Sequence, residues 1–303
     1  MHEQPPNFIE NREYSYPSGK DIEPEKIEKI HRDFKRQEVD QKEVDLRLQE
    51  ILDRVNFYIL KKIFQDYAVK SGLDGKINFL GKDRISHFSP HENDDASYRV
   101  LQNLIGISYD NISKSTKSMK LGVLGRLCHE EAHAVSRFNE MLSLQENGNT
   151  TMVNVESIKS GFRQNSIFRA LNEGVVEKLS REVFRRYLVA DPSYASPEEL
   201  AGFNGSLSYQ KEVQLIEILS RKIAQEVGID EQTVWQAFIR GLFEGEDFED
   251  PKLETEFEEM FSKDFLNSLA SQPVGGNYDA LLNKIDGQRL RRFFERIWGN
   301  KQG

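Results

Sequence analysis

Apolar residues recur at helical spacing from Val44 onward, at Leu48, Ile51, Leu52, Val55, Ile59, Ile63 and Tyr67. That spacing predicts one core-facing helix ending near Ser71-Gly72. The pattern then changes. Short runs at Ile77–Leu80 and Arg84–Phe88, separated by Gly81 and Lys82-Asp83, precede a longer run at Tyr98–Tyr109 that alternates over Leu104–Ser108. Together they predict a small sheet of three or more strands. The helical period returns over about 115–142, where Leu121, Val123, Leu124, Leu127, Cys128, Ala132, Ala134, Val135 and Phe138 leave almost no polar face. A helix apolar nearly all round is buried. Residues 147–166 hold Asn147-Gly148-Asn149, Ser160-Gly161 and a β-branched run, which suggests a hairpin or ordered loop. Helices are predicted again over about 167–189, 208–227, 231–243, 252–269 and 287–298, punctuated by Pro192, Pro197, Pro251 and Pro273.

A sheet followed by helices is the order of an α+β fold. Residues 1–43 read as a leader: 1–23 are polar, broken by Pro5, Pro6, Pro17 and Gly19 and expected to be disordered, and the charged remainder could form a solvated helix. Residues 44–245 form the body, with a sheet lobe at 73–113, a buried helix at 115–142 and a second key helix at 167–189. Residues 246–303 extend the same body with further helices.

Composition narrows the function classes. The chain has 303 residues, 30% of them charged, and a net charge of -9. Such an acid balance gives no bulk attraction for nucleic acid or anionic lipid. The single cysteine, Cys128, cannot form an intramolecular disulfide. No basic stretch followed by an apolar one opens the chain, and no run approaches the ~18 apolar residues of a membrane span. The expectation is a cytoplasmic protein with no nucleic-acid partner and no membrane span.

The chemistry concentrates in His129-Glu130-Glu131-Ala132-His133. Four residues advance a helix by ~6 Å and turn it ~40° past one full turn, so both imidazoles leave one face. Glu130 is offset by ~100° from His129, beside a shared metal rather than on it, where a general base for water must stand. Two histidines inside an apolar helix also need partners, and a zinc ion supplies them. Zinc in a hydrolase takes three protein ligands and keeps one position open. Downstream, Glu173 and Glu177 lie one turn apart among Leu171, Val175, Val176 and Leu179. Between them Gly174 costs roughly 1 kcal/mol of helix stability against Ala, which close approach to another helix would explain.

His129-Glu-x-x-His133 followed by Asn172-Glu173-Gly174-x-x-Glu177 resembles the gluzincin branch of the zincin metallopeptidases, the branch of the thermolysin-like and aminopeptidase N-type enzymes. The resemblance spans about 115–180. It implies a zincin-like fold and one Zn2+ held by His129, His133 and Glu173. It implies Glu130 as general base and Glu177 as the acidic residue that holds His129. It implies hydrolysis of a peptide or protein substrate, with an oxyanion donor from the C-terminal lobe. Tyr209, opening the helical stretch YQKEVQLIEIL, is the choice for that donor, with Tyr187 and Tyr194 as rivals. It also implies a strand beside the metal helix that pairs with extended substrate, a role given to Leu104, Ile105, Gly106 and Ile107; a plain core strand is the alternative. Thirty-nine residues separate His133 from Glu173, more than in those enzymes, and the expected hairpin would account for the excess. The Gly-x-Met-Glu-Asn segment of the aminopeptidases is not present, which argues against that kind of exopeptidase.

The rival reading is a peptide- or protein-binding module on the same scaffold without catalysis; an intact Glu130 speaks against it. Other features carry bland readings. His87 and His91 share the four-residue spacing, but Pro90 blocks a helix between them. Cys128 reads as a small core residue, Glu244–Glu259 as a solvated loop and helix face, and Phe257, Phe261 and Phe265 as a packing stripe. The amphipathic RLRRFFERIW near the C-terminus reads as a docked terminal helix.

Overall fold

The computed structural model describes residues 12–15, 45–87, 95–99, 103–136, 138–147, 150–164, 167–203, 209–244 and 262–285. The fold is α+β and mostly helical, with a small three-stranded sheet.

The apolar period that starts at Val44 gives two helices instead of one: α1 (Leu46–Leu52) and α2 (Phe57–Lys70). Asn56 explains the break. Its side chain accepts from the Ile59 N–H at 3.2 Å, an N-cap that restarts the helix, and its own N–H donates to the Tyr187 hydroxyl at 2.7 Å. Ile77–Leu80, expected as a strand, forms neither helix nor strand among the described residues, and Lys82–Arg84 makes a 3-10 turn before β2 (Ile85–Ser86). Strands β3 (Ala96–Arg99) and β4 (Leu104–Ile107) complete the first sheet. Its order is β2-β4-β3, with β2 parallel and β3 antiparallel to β4. Ile105 and Ile107 are fully buried against the helices.

A short helix α3 (Tyr109–Ser115) leads into α4 (Met119–Val135), the buried helix of the histidine motif. It ends well before residue 142. Ser136 takes up an extended backbone and turns its hydroxyl back to the Ala132 carbonyl at 2.8 Å, which competes with continuing the helix. Phe138, expected on that helix, instead opens β5 (Phe138–Asn147), which forms a hairpin with β6 (Thr150–Ser160). The predicted hairpin is therefore real but starts nine residues earlier. Short β7 (Arg163–Gln164) borders β6, and β1 (Arg12–Ser15) pairs in parallel with the base of β5. Part of the expected unstructured leader is thus an edge strand, because β5 offers it unpaired main chain.

Helix α5 (Arg169–Ala190) runs through the middle of the molecule and packs on α2, α4, α7 (Gln210–Val227) and α8 (Glu231–Glu244). A central helix has little solvent face, so Ala170 through Glu177 are all buried, both glutamates included. Helices α6 (Pro197–Gly202), α9 (Lys263–Ala270) and α10 (Asp279–Leu282) complete the described residues. No helix among them is long and apolar enough to cross a membrane. The charged stretch 24–44, His91, Phe257, Phe261, most of Glu244–Glu259 and the C-terminal segment 287–298 lie outside the described residues. Phe265 is 1% exposed, a core residue of α9.

Candidate metal centre

Helices α4 and α5 pack face to face, and the contact brings His129, His133, Glu173 and Glu177 together in the interior. His129 and His133 point from one side of α4, with ring centroids 4.9 Å apart. Glu173 faces them from α5. Its Oε2 stands 3.6 Å from His129 Nε2 and 3.4 Å from His133 Nε2. All three ligating atoms lie within 4.8 Å of one another. These separations are long for hydrogen bonds, and the buried Glu173 Oε2 has no hydrogen-bond partner. They match co-ligands of one ion instead: two donors about 2.1 Å from a tetrahedral centre stand about 3.4 Å apart. A buried carboxylate oxygen left without a donor is costly, and a cation between the three groups removes that cost. Two imidazoles and one carboxylate form a donor set that can hold a divalent metal ion.

Electrostatics agree. Burial disfavours the charged form of His129, yet the Glu173 and Glu177 carboxylates, with Glu130 behind them, outweigh it and hold this imidazole up at about 10. For Glu173, burial pushes upward, but the two imidazoles win and hold it well below the usual carboxylate range. Surplus negative charge around two imidazoles is what a divalent cation neutralises.

The surrounding residues fall into place around this trio. Glu177 Oε2 lies 2.9 Å from His129 Nδ1, the position of a group that orients a metal-bound imidazole. Glu130, 6% exposed, borders the open side of the site, and its Oε2 accepts the Tyr98 N–H of β3 at 2.6 Å. Tyr209 stacks on His129 with centroids 5.4 Å apart and planes 7° from parallel. Its φ of 53° is in the left-handed region, uncommon for a bulky residue, and this turn at the start of α7 aims the ring at the site. Burial, and then the Glu173 and Glu130 carboxylates, push the Tyr209 hydroxyl well above its ordinary range, so it remains a proton-bearing donor.

The structure separates the rivals of Tyr209 from the site. Tyr187 accepts from Asn56 near the break between α1 and α2, and Tyr194 donates to the Lys120 carbonyl at 3.1 Å. Cys128 is fully buried and free. The expectation that Leu104, Ile105, Gly106 and Ile107 pair with substrate is corrected. Those residues form β4, the middle strand, flanked on both sides, so its main chain is already taken by β2 and β3. The edge facing the site is β3, which packs on α4. Nothing in the local sequence distinguished the two strands, because strand order is set by long-range pairing.

A cleft of about 580 Å³ opens at the site, lined by Ala96, Arg126, His129, Glu130, Tyr209 and Gly275 among others. Two features of its walls have no sequence signature. Arg126, one turn before His129, pairs with Asp95 at 2.6 Å. Glu212, 1% exposed, accepts from the Tyr278 hydroxyl and the Gly275 N–H, and Lys211 donates to the Gly275 carbonyl at 2.9 Å. These contacts hold the 273–278 segment against the start of α7 as the far wall. Away from the cleft, Asn172, next to Glu173, accepts from the Phe162 N–H at 3.1 Å and so ties the base of the hairpin insertion to α5.

No family model matches this chain, and neither a curated protein nor a solved structure matches it.

Proposed function

We propose that the protein is a zinc-dependent metallopeptidase that hydrolyses peptide bonds in the cleft between β3 and the start of α7. One observation carries the reading: the partnerless, buried Oε2 of Glu173 stands at co-ligand distance from both His129 Nε2 and His133 Nε2. It gains force from Glu130, which lies at the same site and faces the cleft. His129, His133 and Glu173 are the ligands, and a zinc ion bound there supplies Lewis acidity that polarises a carbonyl and acidifies water.

The remaining chemistry falls to the chain's own residues. Glu130 is tied to β3 through Oε2, which leaves Oε1 to take the proton of the attacking water and pass it to the departing amine. Tyr209 donates its hydroxyl proton in a hydrogen bond to the substrate oxygen as that oxygen gains charge. The outer side of β3, at the main chain of Ala96 where it lines the cleft, receives an extended peptide through main-chain hydrogen bonds, while the Tyr98 N–H stays with Glu130. Glu177 holds the ring of His129 in place.

The test combines metal analysis with cleavage. Protein purified without added zinc is expected to carry one equivalent, and to cleave members of a peptide library. Glu130→Gln is expected to retain the zinc and lose cleavage by several orders of magnitude. Zinc bound without cleavage by either protein would favour a peptide-binding module on this scaffold. Equal cleavage by wild type and variant would defeat the mechanism, and absence of metal affinity would defeat both readings.

A further inference from the structure

We propose that Arg181 is a positioning residue for the metal centre: it fixes the carboxylate of Glu177, and through it the ring and tautomer of His129. Its consequence for metal binding rests on the metallopeptidase reading; its effect on the histidine does not.

Glu173, Glu177 and Arg181 follow one another at four-residue steps on α5, so they share one face. Side-chain exposure rises along the row, from 6% at Glu173 to 8% at Glu177 and 22% at Arg181. The row therefore leads from the buried ligand toward solvent. Both oxygens of Glu177 are engaged. Oε2 faces His129 Nδ1 at 2.9 Å, and Oε1 accepts from Arg181 Nε at 2.8 Å.

This double engagement has a physical consequence. The last torsion of a glutamate is broad and roughly two-fold, so a carboxylate held at one oxygen can rotate and exchange its oxygens. A directed bond from the planar guanidinium to the second oxygen sets the plane of the carboxylate. A carboxylate only accepts hydrogen bonds, so the proton of the neutral imidazole must sit on Nδ1. That leaves Nε2, the atom facing Glu173, with its lone pair toward the metal. A plain helix-surface ion pair would do none of this, and the burial of Glu177 distinguishes the present pair from one.

The experiment uses the full-length protein with three substitutions: Arg181→Met, Glu177→Gln and the double variant. Zinc affinity is read by competition with a chromophoric chelator, and the His129 Nδ1–H bond to Glu177, which exists whether the ring carries one proton or two, by the Nδ1 proton and nitrogen-15 resonances in protein stripped of metal. Partners of metal-bound histidines contribute about 10–100-fold to affinity, and Arg181→Met is expected near the lower end, about tenfold. In the Glu177→Gln background the same substitution is expected to add less than twofold, because Arg181 acts through Glu177. In Arg181→Met the Nδ1–H signal is expected to broaden and to exchange faster with water, because the Glu177 carboxylate is no longer held in plane. Arg181→Lys keeps the cation and loses the Nε donor, and tests the same bond should Arg181→Met not fold. A loss of zinc affinity of the same size with and without Glu177, or an unchanged Nδ1–H signal and affinity in Arg181→Met, would overturn the proposal. Wild-type protein that binds no zinc would sink the metallopeptidase reading alone, and the Nδ1–H signal would still decide the role of Arg181.

Discussion

Gly174→Ala offers a sensitive probe of how the site is assembled. In isolation the change should help, since alanine is better than glycine in a helix by about 1 kcal/mol. Here a Cβ on residue 174 would stand 2.6 Å from the Glu212 carbonyl oxygen, 2.9 Å from its carbon and 2.8 Å from Ile216 Cγ1. Two of these atoms are backbone of α7 and cannot swing aside. Ordinary contact begins near 3.4 Å, so α7 must retreat from α5 by about 0.8 Å. Overpacking of this kind costs about 1–3 kcal/mol, which cancels or exceeds the helix gain. The expected net change is a loss of up to about 2 kcal/mol, or roughly 2–4 °C in Tm per kcal/mol for a domain of this size. Function should suffer more. Tyr209 begins α7 less than one turn before Glu212, and a misplacement of about 1 Å can cost about 10²-fold in rate. Gly125 supplies the control. It also lies inside a helix, α4, but a Cβ there meets no atom within 4 Å, so Gly125→Ala should stabilise by up to about 1 kcal/mol. Urea unfolding of both variants, with zinc content and cleavage rate alongside, decides the matter. If Gly174→Ala gains stability as Gly125→Ala does and keeps full activity, the close approach of α5 and α7 is not what that glycine serves.

Tyr209→Phe keeps the ring stacked on His129 and removes only the hydroxyl, so zinc affinity should hold while kcat falls about 10²-fold with little change in KM; an unaltered kcat would exclude the hydroxyl as oxyanion donor. Glu131 sits fully buried within the motif, its Oε2 accepting the Leu80 N–H at 3.1 Å, and burial holds its carboxyl well above the ordinary value of 4.5. The folded state binds that proton more tightly than the unfolded chain, so the group contributes stability below pH 4.5 and loses it as pH rises toward its raised folded value. Glu131→Gln should therefore stabilise the protein at pH 7 relative to wild type and bring no such gain at pH 4; chemical unfolding at both values checks this, and equal effects would refute the assignment of a neutral carboxyl.

The grouping of the candidate site's residues was legible because its logic is local. A helix fixes the relation of His129 to His133, and of Glu173 to Glu177, from spacing alone, and Gly174 announced a close helix contact by its cost. The α+β order and most helices followed from periodicity in the same way. Two errors of boundary had local causes that periodicity does not weigh: Asn56 restarts a helix by capping, and Ser136 ends one by bonding back to its own carbonyl. Other features were decided elsewhere in the chain. Whether Phe138 continues a helix or opens a strand depends on β6 and β1 being there to pair with it. Which strand borders the site depends on β3 and β2 flanking β4. Tyr209 reaches His129 only because α7 packs on α5 and its first residue turns left-handed. The sequence by itself determined which side chains share a helix face, since that is set by the rise and twist of one element. Only the tertiary structure decided which faces meet, because helix packing and strand order rest on contacts between residues far apart in the chain.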